Sequence, residues 1–321
     1  MSVKDNLVAW AYTAGWRAVR AMPHDAAARV FRFAADRATA RRGPGVIQYA
    51  RNMRRVLGDE AGPDSLHAVT AAGMRSYARY WLETFRLPSM DLDDVARRAV
   101  DGTTGMENLD AAVESGRGAV LALPHSGNWD VAGLMVCRRF GGLVTVAERL
   151  KPESLYHKFV AYRESLGMEV LPLTGGSAPV SQVLQDRLRD GKVICLLGDR
   201  DLTSRGVPVE FFGERTRMPA GPAMLAALTG ADLLRVHLTY TDTGWHHLIC
   251  PPMQLPGERL AQQVREGTQL LADGYASGIE AEPADWHMLQ PLWEADLPAH
   301  RRARLDQGTA HDPTDPAGEK P

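Results

Sequence analysis

The chain contains little cysteine, with three cysteines among 321 residues. They lie far apart, at Cys137, Cys195 and Cys250, and each falls in an apolar run. This excludes a disulfide framework and a paired-cysteine metal site, because both need more cysteines or closer spacing. We therefore predict three buried free thiols in a reducing compartment.

The chain also lacks an apolar run of the roughly 20 residues that a membrane-spanning helix needs. The longest candidate, residues 220–238, contains two glycines, one proline and two charged residues. A shorter apolar run, Leu7–Trp16, is followed at once by Arg17 and Arg20, with no clean signal-peptide cleavage site. We predict that it is a retained amphipathic helix; a helix packed on its own domain is the alternative.

There is little net charge, −2 from 37 basic and 39 acidic residues, which argues against a general nucleic-acid binder. The distribution is less even. Residues 17–55 carry ten arginines against only Asp25 and Asp36. A basic, helix-forming segment of this kind suits an anionic membrane surface as its partner.

Two regions differ in pattern. Residues 1–95 are predicted to form a helical, membrane-facing part, in which 64–87 has helical spacing and Pro88 is placed to end the helix. Residues 96–302 alternate β-type runs with helical stretches, which predicts an α/β core with a mixed, mainly parallel central sheet flanked by helices. Residues 303–321 are too polar to pack and are predicted to be a disordered tail.

The strands of this core are predicted at 119–123, 144–147, 169–173, 193–197, 207–212, 233–240 and 245–250. Only four residues, 241–244, separate the last two, so they are predicted to form a hairpin. That antiparallel pair makes the sheet mixed.

A polar loop follows the first of these strands within residues 121–130, LALPHSGNWD. His125 lies just past the strand end, where α/β sheets build their sites, and Asp130 falls in the next helical turn. A neutral imidazole can take the proton of an alcohol that attacks an acyl carbon, while a carboxylate orients the ring. We predict that His125 is a general base oriented by Asp130, and that Gly127 and Asn128 supply donors near the reacting carbonyl.

Spacing alone does not single out this pair. Ten histidines and 39 acidic residues predict about one chance match to the same spacing. His237 and Asp242 are such a match, but His237 lies within a predicted strand, where an odd separation places the two side chains on opposite faces. Position at a strand end favours His125 and Asp130.

The segment PHSGNWD resembles the His-x4-Asp motif of the lipid A biosynthesis acyltransferase family, within the glycerolipid acyltransferase superfamily. Other segments resemble the actinobacterial branch of that family: Met74–Pro88, Glu148–Arg149, Gly198–Asp201, Val207–Gly213 and Asp285–Gln290. The resemblance therefore covers nearly the whole chain.

The resemblance implies an acyl-CoA-dependent acyltransferase that moves a long-chain acyl group, with palmitoyl expected, to a mannose hydroxyl of a mannosylated phosphatidylinositol. It implies a peripheral enzyme on the cytoplasmic face of the plasma membrane. Acyl-CoA is then a co-substrate, and we expect no cofactor and no metal. The alternatives are another glycolipid or a lysophospholipid as acceptor, or a non-catalytic lipid-binding protein.

Position by position, the resemblance implies His125 as the base and Asp130 as its orienting carboxylate. Asp199 follows the strand 193–197 and would be a third catalytic residue, contacting the same histidine or the sugar hydroxyl. An aspartate that caps a turn is the alternative for Asp199. No GxSxG elbow occurs, and Ser126 directly follows the histidine, which argues against a serine hydrolase.

Several charged residues are predicted to bind substrate. Glu148 and Arg149 match a block in which an arginine binds a phosphate of the donor or acceptor, a task that suits a planar, permanent cation. Arg163 is a further candidate, with a solvated helix face as its alternative. Arg215 and Arg217 loosely resemble a third block, in which a basic residue meets the acceptor.

Overall fold

The protein is built around one seven-stranded sheet with helices packed on its faces. The computed structural model describes residues 15–149, 153–176, 178–201, 206–299 and 302. Most of the predicted amphipathic helix at residues 7–16, and the whole predicted tail at 303–321, lie outside these residues. Within them, no helix has both the length and the apolar character that crossing a bilayer requires.

The sheet confirms the predicted fold class. Its strands are β1 (Thr103–Thr104), β2 (Ala119–Leu123), β3 (Leu143–Ala147), β4 (Met168–Pro172), β5 (Val193–Leu197), β8 (Asp232–Tyr240) and β9 (Trp245–Pro252). They are ordered β1-β9-β8-β2-β5-β3-β4, and each neighbouring pair is parallel except β8 with β9. The predicted hairpin joins those two strands, with Tyr240 opposite Trp245.

A separate two-stranded sheet is formed by β6 (Val207–Phe211) and β7 (Glu214–Met218). The sequence predicted the first of these strands but not the second. The residues of β7, ERTRM, contain three charges and only one apolar side chain, so neither a β-branched run nor a plain apolar alternation marks it as a strand.

The helices of the amino-terminal part include α1 (His24–Arg41), α2 (Pro44–Leu57) and α3 (Pro63–Arg86). Both α2 and α3 start with proline, whose missing N–H and preset φ suit the first helical position. As predicted, α3 ends before Pro88, where a short 3₁₀ turn takes over.

The amino-terminal helices share their packing with the sheet. Buried Tyr49 and Met74 from these helices belong to the same apolar cluster as Val120 and Ile194 of the sheet. The boundary expected between residues 95 and 96 falls inside a helix, α4 (Leu92–Asp101).

The remaining helices cover the two faces of the sheet: α5 (Met106–Glu114), α6 (Trp129–Phe140), α7 (Glu153–Ser165), α8 (Val180–Arg189), α9 (Gly221–Thr229) and α10 (Leu260–Ala281). Every residue of β2 is buried. Alternate β2 residues enter two different apolar clusters, Val120 in one and Leu121 in the other. This is the environment of a central strand in a sheet covered on both faces.

The three cysteines are unpaired. Cys137 is buried as predicted, whereas Cys195 and Cys250 are only partly buried. Burial raises the pKa of the Cys137 thiol to about 11 and that of Cys195 to about 12. Both therefore stay protonated and unreactive near neutral pH.

Three enclosed histidines make stability depend on pH. Burial lowers the pKa of His237 to about 4, and that of His247 and His287 to about 3 each. An unfolded chain protonates histidine below about pH 6.5. The unfolded state therefore binds more protons than the folded state between that pH and 4, and stability falls as the pH falls through this window.

We expect the substitution His247→Gln to weaken this pH dependence. The substitution removes the proton that His247 takes up on unfolding. This proton contributes a slope of up to about 1.4 kcal/mol per pH unit to the free energy of unfolding. Urea unfolding of both proteins between pH 6.5 and 4 measures the two slopes. Equal slopes would show that His247 is protonated in the folded state.

Candidate active site

Parallel pairing of β2 with β5 brings His125 and Asp199 together. The two strands are in register at Leu123 and Leu197. Each functional residue follows its member of that pair by two positions, which returns it to the same face of the sheet. The amide of Gly198 donates to the carbonyl of Leu123 at 2.8 Å, so the pairing extends to the edge of the site.

Asp199 is a fully buried carboxylate held by three donor groups. Its Oδ1 lies 2.6 Å from Nδ1 of His125. Its Oδ2 accepts the backbone N–H of His125 at 2.9 Å and the indole N–H of Trp286 at 2.8 Å. Burial alone would raise the pKa of Asp199, but the contacts with His125 and Trp286 outweigh it and hold the pKa below its ordinary value.

An ionised Asp199 determines what His125 can do. It holds the proton of the neutral ring on Nδ1 and leaves the lone pair on Nε2. The histidine side chain is 27% exposed, whereas the carboxylate behind it is fully buried. This arrangement can accept a proton from a bound hydroxyl and stabilise the resulting imidazolium.

Asp130 makes a different pair from the predicted one. Its Oδ1 accepts a hydrogen bond from Nε of Arg163 at 2.9 Å, and its Oδ2 accepts one from the hydroxyl of Tyr80 at 3.1 Å. As a correction, the carboxylate that orients His125 is Asp199 instead of Asp130. Since α6 begins at residue 129, the Asp130 side chain leaves its first turn toward α3 and α7.

The side chain of Arg163 does not lie on a solvated helix face, and its expected contact with substrate stays a prediction. Its side chain is 18% exposed and its partner Asp130 only 2%. Burial opposes the charged guanidinium, but the negative charge of Asp130 outweighs this and raises the pKa of Arg163. The structure therefore makes Arg163 half of a buried ion pair whose remaining surface lines the cleft described below.

The loop after His125 uses its polar groups to hold itself in place. The N–H of Gly127 donates to the carbonyl of Asp285 at 2.9 Å. The side-chain oxygen of Asn128 accepts the backbone N–H groups of Asp130 and Val131 in the first turn of α6, and its NH₂ donates to Glu83 at 2.7 Å. The Gly127 amide and the Asn128 side chain are therefore bonded within the protein, and the role expected for these residues at a reacting carbonyl stays a prediction.

The segment 285–287 forms a wall of the site. Trp286 forms an antiparallel bridge with Ser126, and the N–H of His287 donates to the carbonyl of His125 at 2.7 Å. No role was predicted for this segment beyond its place in the family resemblance. Its signal was an Asp-Trp-His sequence just past the last long helix, where two aromatic rings and a carboxylate stand together.

Glu148 and Arg149 both follow β3, but only Glu148 lines the cleft beside His125 that is described below. The Nη2 of Arg149 donates to Glu153 at 3.0 Å, and a Cβ at Gly175 would lie 2.4 Å from its Nη1. Arg149 therefore stands at an exposed rim, against the glycine-bearing loop that follows β4.

Arg215 and Arg217 lie on β7, and neither lines the cleft. Both pair with Glu294, at 3.5 and 3.2 Å. Their contacts attach the two-stranded sheet to the carboxyl-terminal segment of the described chain.

A cleft of about 600 Å³ opens beside His125. Much of its wall is aliphatic and aromatic, including Val146, Phe159, Val170, Leu184, Leu196 and Leu225. The polar members of the wall include His125, Glu148, Arg163, Arg200 and Asp201. A volume of this size can enclose a long apolar ligand whose polar end meets the histidine.

A histidine with a buried carboxylate, at adjoining strand ends and beside an apolar cleft, is an arrangement that can transfer an acyl group to a hydroxyl. The chain belongs to the family of bacterial lipid A biosynthesis acyltransferases, whose model matches residues 2–295.

Three relatives have the same name, phosphatidylinositol mannoside acyltransferase. The protein of Mycobacterium tuberculosis (strain CDC 1551 / Oshkosh) is 52% identical over 306 residues, which cover 95% of this chain and 94% of the relative. The strain H37Rv protein is 51% identical over the same shares of the two chains. That of Mycolicibacterium smegmatis is 52% identical over 296 residues, 92% of this chain and 94% of the relative.

The two buried carboxylates should respond differently to amide substitution. We expect Asp199→Asn to lower kcat by about 10³–10⁴-fold with little loss of stability, because it disturbs the tautomer of His125. We expect Asp130→Asn to lower the free energy of unfolding by about 3 kcal/mol, because Arg163 loses its buried counter-charge. Steady-state kinetics and urea unfolding of both variants test this. A rate loss confined to Asp130→Asn would reverse the assignment.

Proposed function

We propose that this protein transfers a long-chain acyl group, with palmitoyl expected, from acyl-CoA to a mannose hydroxyl of a phosphatidylinositol mannoside, with His125 as general base. The observation that carries this proposal is the position of the His125–Asp199 pair at the apolar cleft. The mannosylated acceptor comes from the relatives, which are named for it.

The proposed reaction is a direct transfer. Nε2 of His125 takes the proton of the acceptor hydroxyl as its oxygen attacks the thioester carbon. The tetrahedral intermediate then collapses, the carbon–sulfur bond breaks, and the imidazolium returns the proton to the departing thiolate. Asp199 remains ionised throughout and stabilises the imidazolium. The reaction needs acyl-CoA as co-substrate and no further cofactor.

The donor is proposed to lie across two parts of the surface. Its acyl chain would occupy the apolar wall of the cleft, where Val170, Leu184 and Leu225 lie. Its phosphates would contact Arg149, whose exposed guanidinium lies against the loop at Gly175. Glu148, between these parts, is proposed to contact the polar substrate groups. Planar, permanently charged arginine suits phosphate.

The helix α1 supports a peripheral position on an anionic membrane, which we propose is the cytoplasmic face of the plasma membrane. Val30 and Phe33 are 52% and 71% exposed on this helix. Arg29 and Arg37 stand four residues on either side of Phe33, so they share its helical face. Exposed apolar side chains flanked by arginines are typical of a helix that lies in the headgroup region.

Replacing the proposed base should abolish transfer. We expect His125→Ala to lower the rate with a palmitoyl-CoA donor and a mannosylated phosphatidylinositol acceptor by at least about 10²–10⁴-fold, the usual contribution of a general base. Circular dichroism should show an intact fold. Full activity in the variant would overturn the mechanism. Activity only on a lysophospholipid or another glycolipid would retain the chemistry and overturn the acceptor.

A second experiment tests the membrane surface. We expect Phe33→Ala to weaken binding to phosphatidylglycerol-containing vesicles on the order of tenfold, since a buried phenyl group contributes about 1.5–3 kcal/mol. Vesicle co-sedimentation measures it. The matched control is Leu228→Ala, which truncates another exposed apolar residue, on α9. Equal binding of Phe33→Ala and the unchanged protein would remove α1 from the membrane contact.

A further inference from the structure

Two buried polar atoms beside His125 have no hydrogen-bond partner among the described residues: Nε1 of Trp129 and Nδ1 of His287. Both side chains line the cleft together with His125. The ring of Trp129 is centred 5.8 Å from that of His125 and 6.3 Å from that of His287. Burying a polar atom without a bond is destabilising, so two such atoms at one site point to a ligand that satisfies both.

The chemical character of each atom follows from its surroundings. An indole nitrogen is a donor only. For His287, Nε2 lies 2.9 Å from Oγ of Ser76, whose single hydrogen is donated to Asp285 at 2.6 Å. Nε2 must therefore carry the ring proton and donate it to the serine. Since burial lowers the pKa of His287 to about 3, the ring is neutral and Nδ1 is a free lone pair.

The protonation state of Asp285 decides the direction of the hydrogen bonds that link His287, Ser76 and Asp285. Burial raises the pKa of Asp285, whereas the donors Ser76 and the backbone N–H of Tyr240, at 2.7 Å, favour its ionised form. A distance of 2.6 Å between hydroxyl and carboxyl oxygen is that of a hydroxyl donating to an ionised carboxylate. His287 therefore donates to Ser76, and Ser76 donates to Asp285.

We propose that Trp129 Nε1–H and His287 Nδ1 form a hydroxyl-binding subsite, which holds neighbouring hydroxyls of the acceptor sugar beside the hydroxyl that His125 deprotonates. A hydroxyl can accept from the indole and donate to the imidazole, whereas a phosphate or carboxylate lacks the hydrogen that Nδ1 requires. This proposal rests on the proposed function, because it states how that function's acceptor is recognised.

Neighbouring side chains enclose the two nitrogens of the subsite. Neither of the two nitrogens is exposed to water, so a neighbouring side chain must move when the sugar enters. Tyr77 is suited to this movement because it is only partly buried, lines the cleft, and has its ring centred 5.4 Å from that of His287.

The test compares substitutions with acceptors that lack single hydroxyls. We expect His287→Phe, which keeps a ring but removes the lone pair, to raise KM for a short-chain mannosylated phosphatidylinositol about tenfold, the effect of one hydrogen bond. KM for palmitoyl-CoA should not change. One monodeoxy-mannose acceptor should react poorly with the unchanged protein, and His287→Phe should no longer discriminate against it.

Two further variants separate recognition from packing. His287→Asn places a carbonyl oxygen near the position of Nδ1 and should recover part of the lost acceptor binding. The matched control is His237→Phe, because His237 is also a buried histidine with unpartnered ring nitrogens but does not line the cleft. Its acceptor KM should equal that of the unchanged protein. If His287→Phe does not fold, Trp129→Phe, which removes the donor together with the five-membered part of the indole, is compared with the unchanged protein on the same deoxy acceptors.

Two outcomes would overturn the subsite. One is an unchanged acceptor KM in His287→Phe and Trp129→Phe; the other is persistent discrimination against every deoxy acceptor in both variants. Either result, obtained while the unchanged protein acylates the mannosylated acceptor, refutes the subsite alone. Failure of the unchanged protein to acylate that acceptor refutes the proposed function itself, and the inference that rests on it.

Discussion

Burial of the Asp199 carboxylate is the constraint on which the site depends. A carboxylate removed from water is costly unless its oxygens receive several hydrogen bonds. Here the donors come from distant parts of the chain, the ring and amide of His125 and the indole of Trp286. The β2 and β5 strand ends and the segment 285–287 must therefore all be in place before the histidine is oriented. The geometry of the site is a property of the whole fold.

A second buried carboxylate has a separate task. Asp130 faces the permanent charge of Arg163 and the hydroxyl of Tyr80, so it joins the start of α6 to α7 and α3. Asp199 faces the imidazole ring of His125. The two acids lie close to the same loop, but their partners differ. One sets the position of a proton, while the other holds the wall of the cleft together.

The sequence predicted the sheet and the strand ends because their signals are local. The five apolar residues of β2, and the Pro-His and Gly-Asp steps that follow β2 and β5, lie within short windows. The family resemblance added Asp199 to the proposed site. The residue patterns did not predict which carboxylate forms the hydrogen bond with the His125 ring. That depends on the register of β2 with β5, and no residue pattern shows register between strands about 70 residues apart.

Asp130 illustrates the opposite case. Its nearness in sequence made it the obvious partner, yet a helix that begins at residue 129 turns the side chain toward neighbouring helices instead of the loop. Likewise, Trp286 and His287 were not assigned roles because their contacts are made across more than 80 residues, by a bridge to Ser126 and a bond to Asp199. Contacts between residues far apart in the sequence are the part of the site that local sequence patterns do not predict.

The same contacts bear on whether the enzyme would form a covalent intermediate. Ser126 directly follows the histidine, but its hydroxyl is fully buried and its backbone is held by the bridge to Trp286. Cys195 is only partly buried, and its raised pKa keeps it a thiol. Neither offers an activated nucleophile to an acyl carbon in the cleft. This favours attack by the acceptor hydroxyl itself, which requires donor and acceptor to be bound together beside His125.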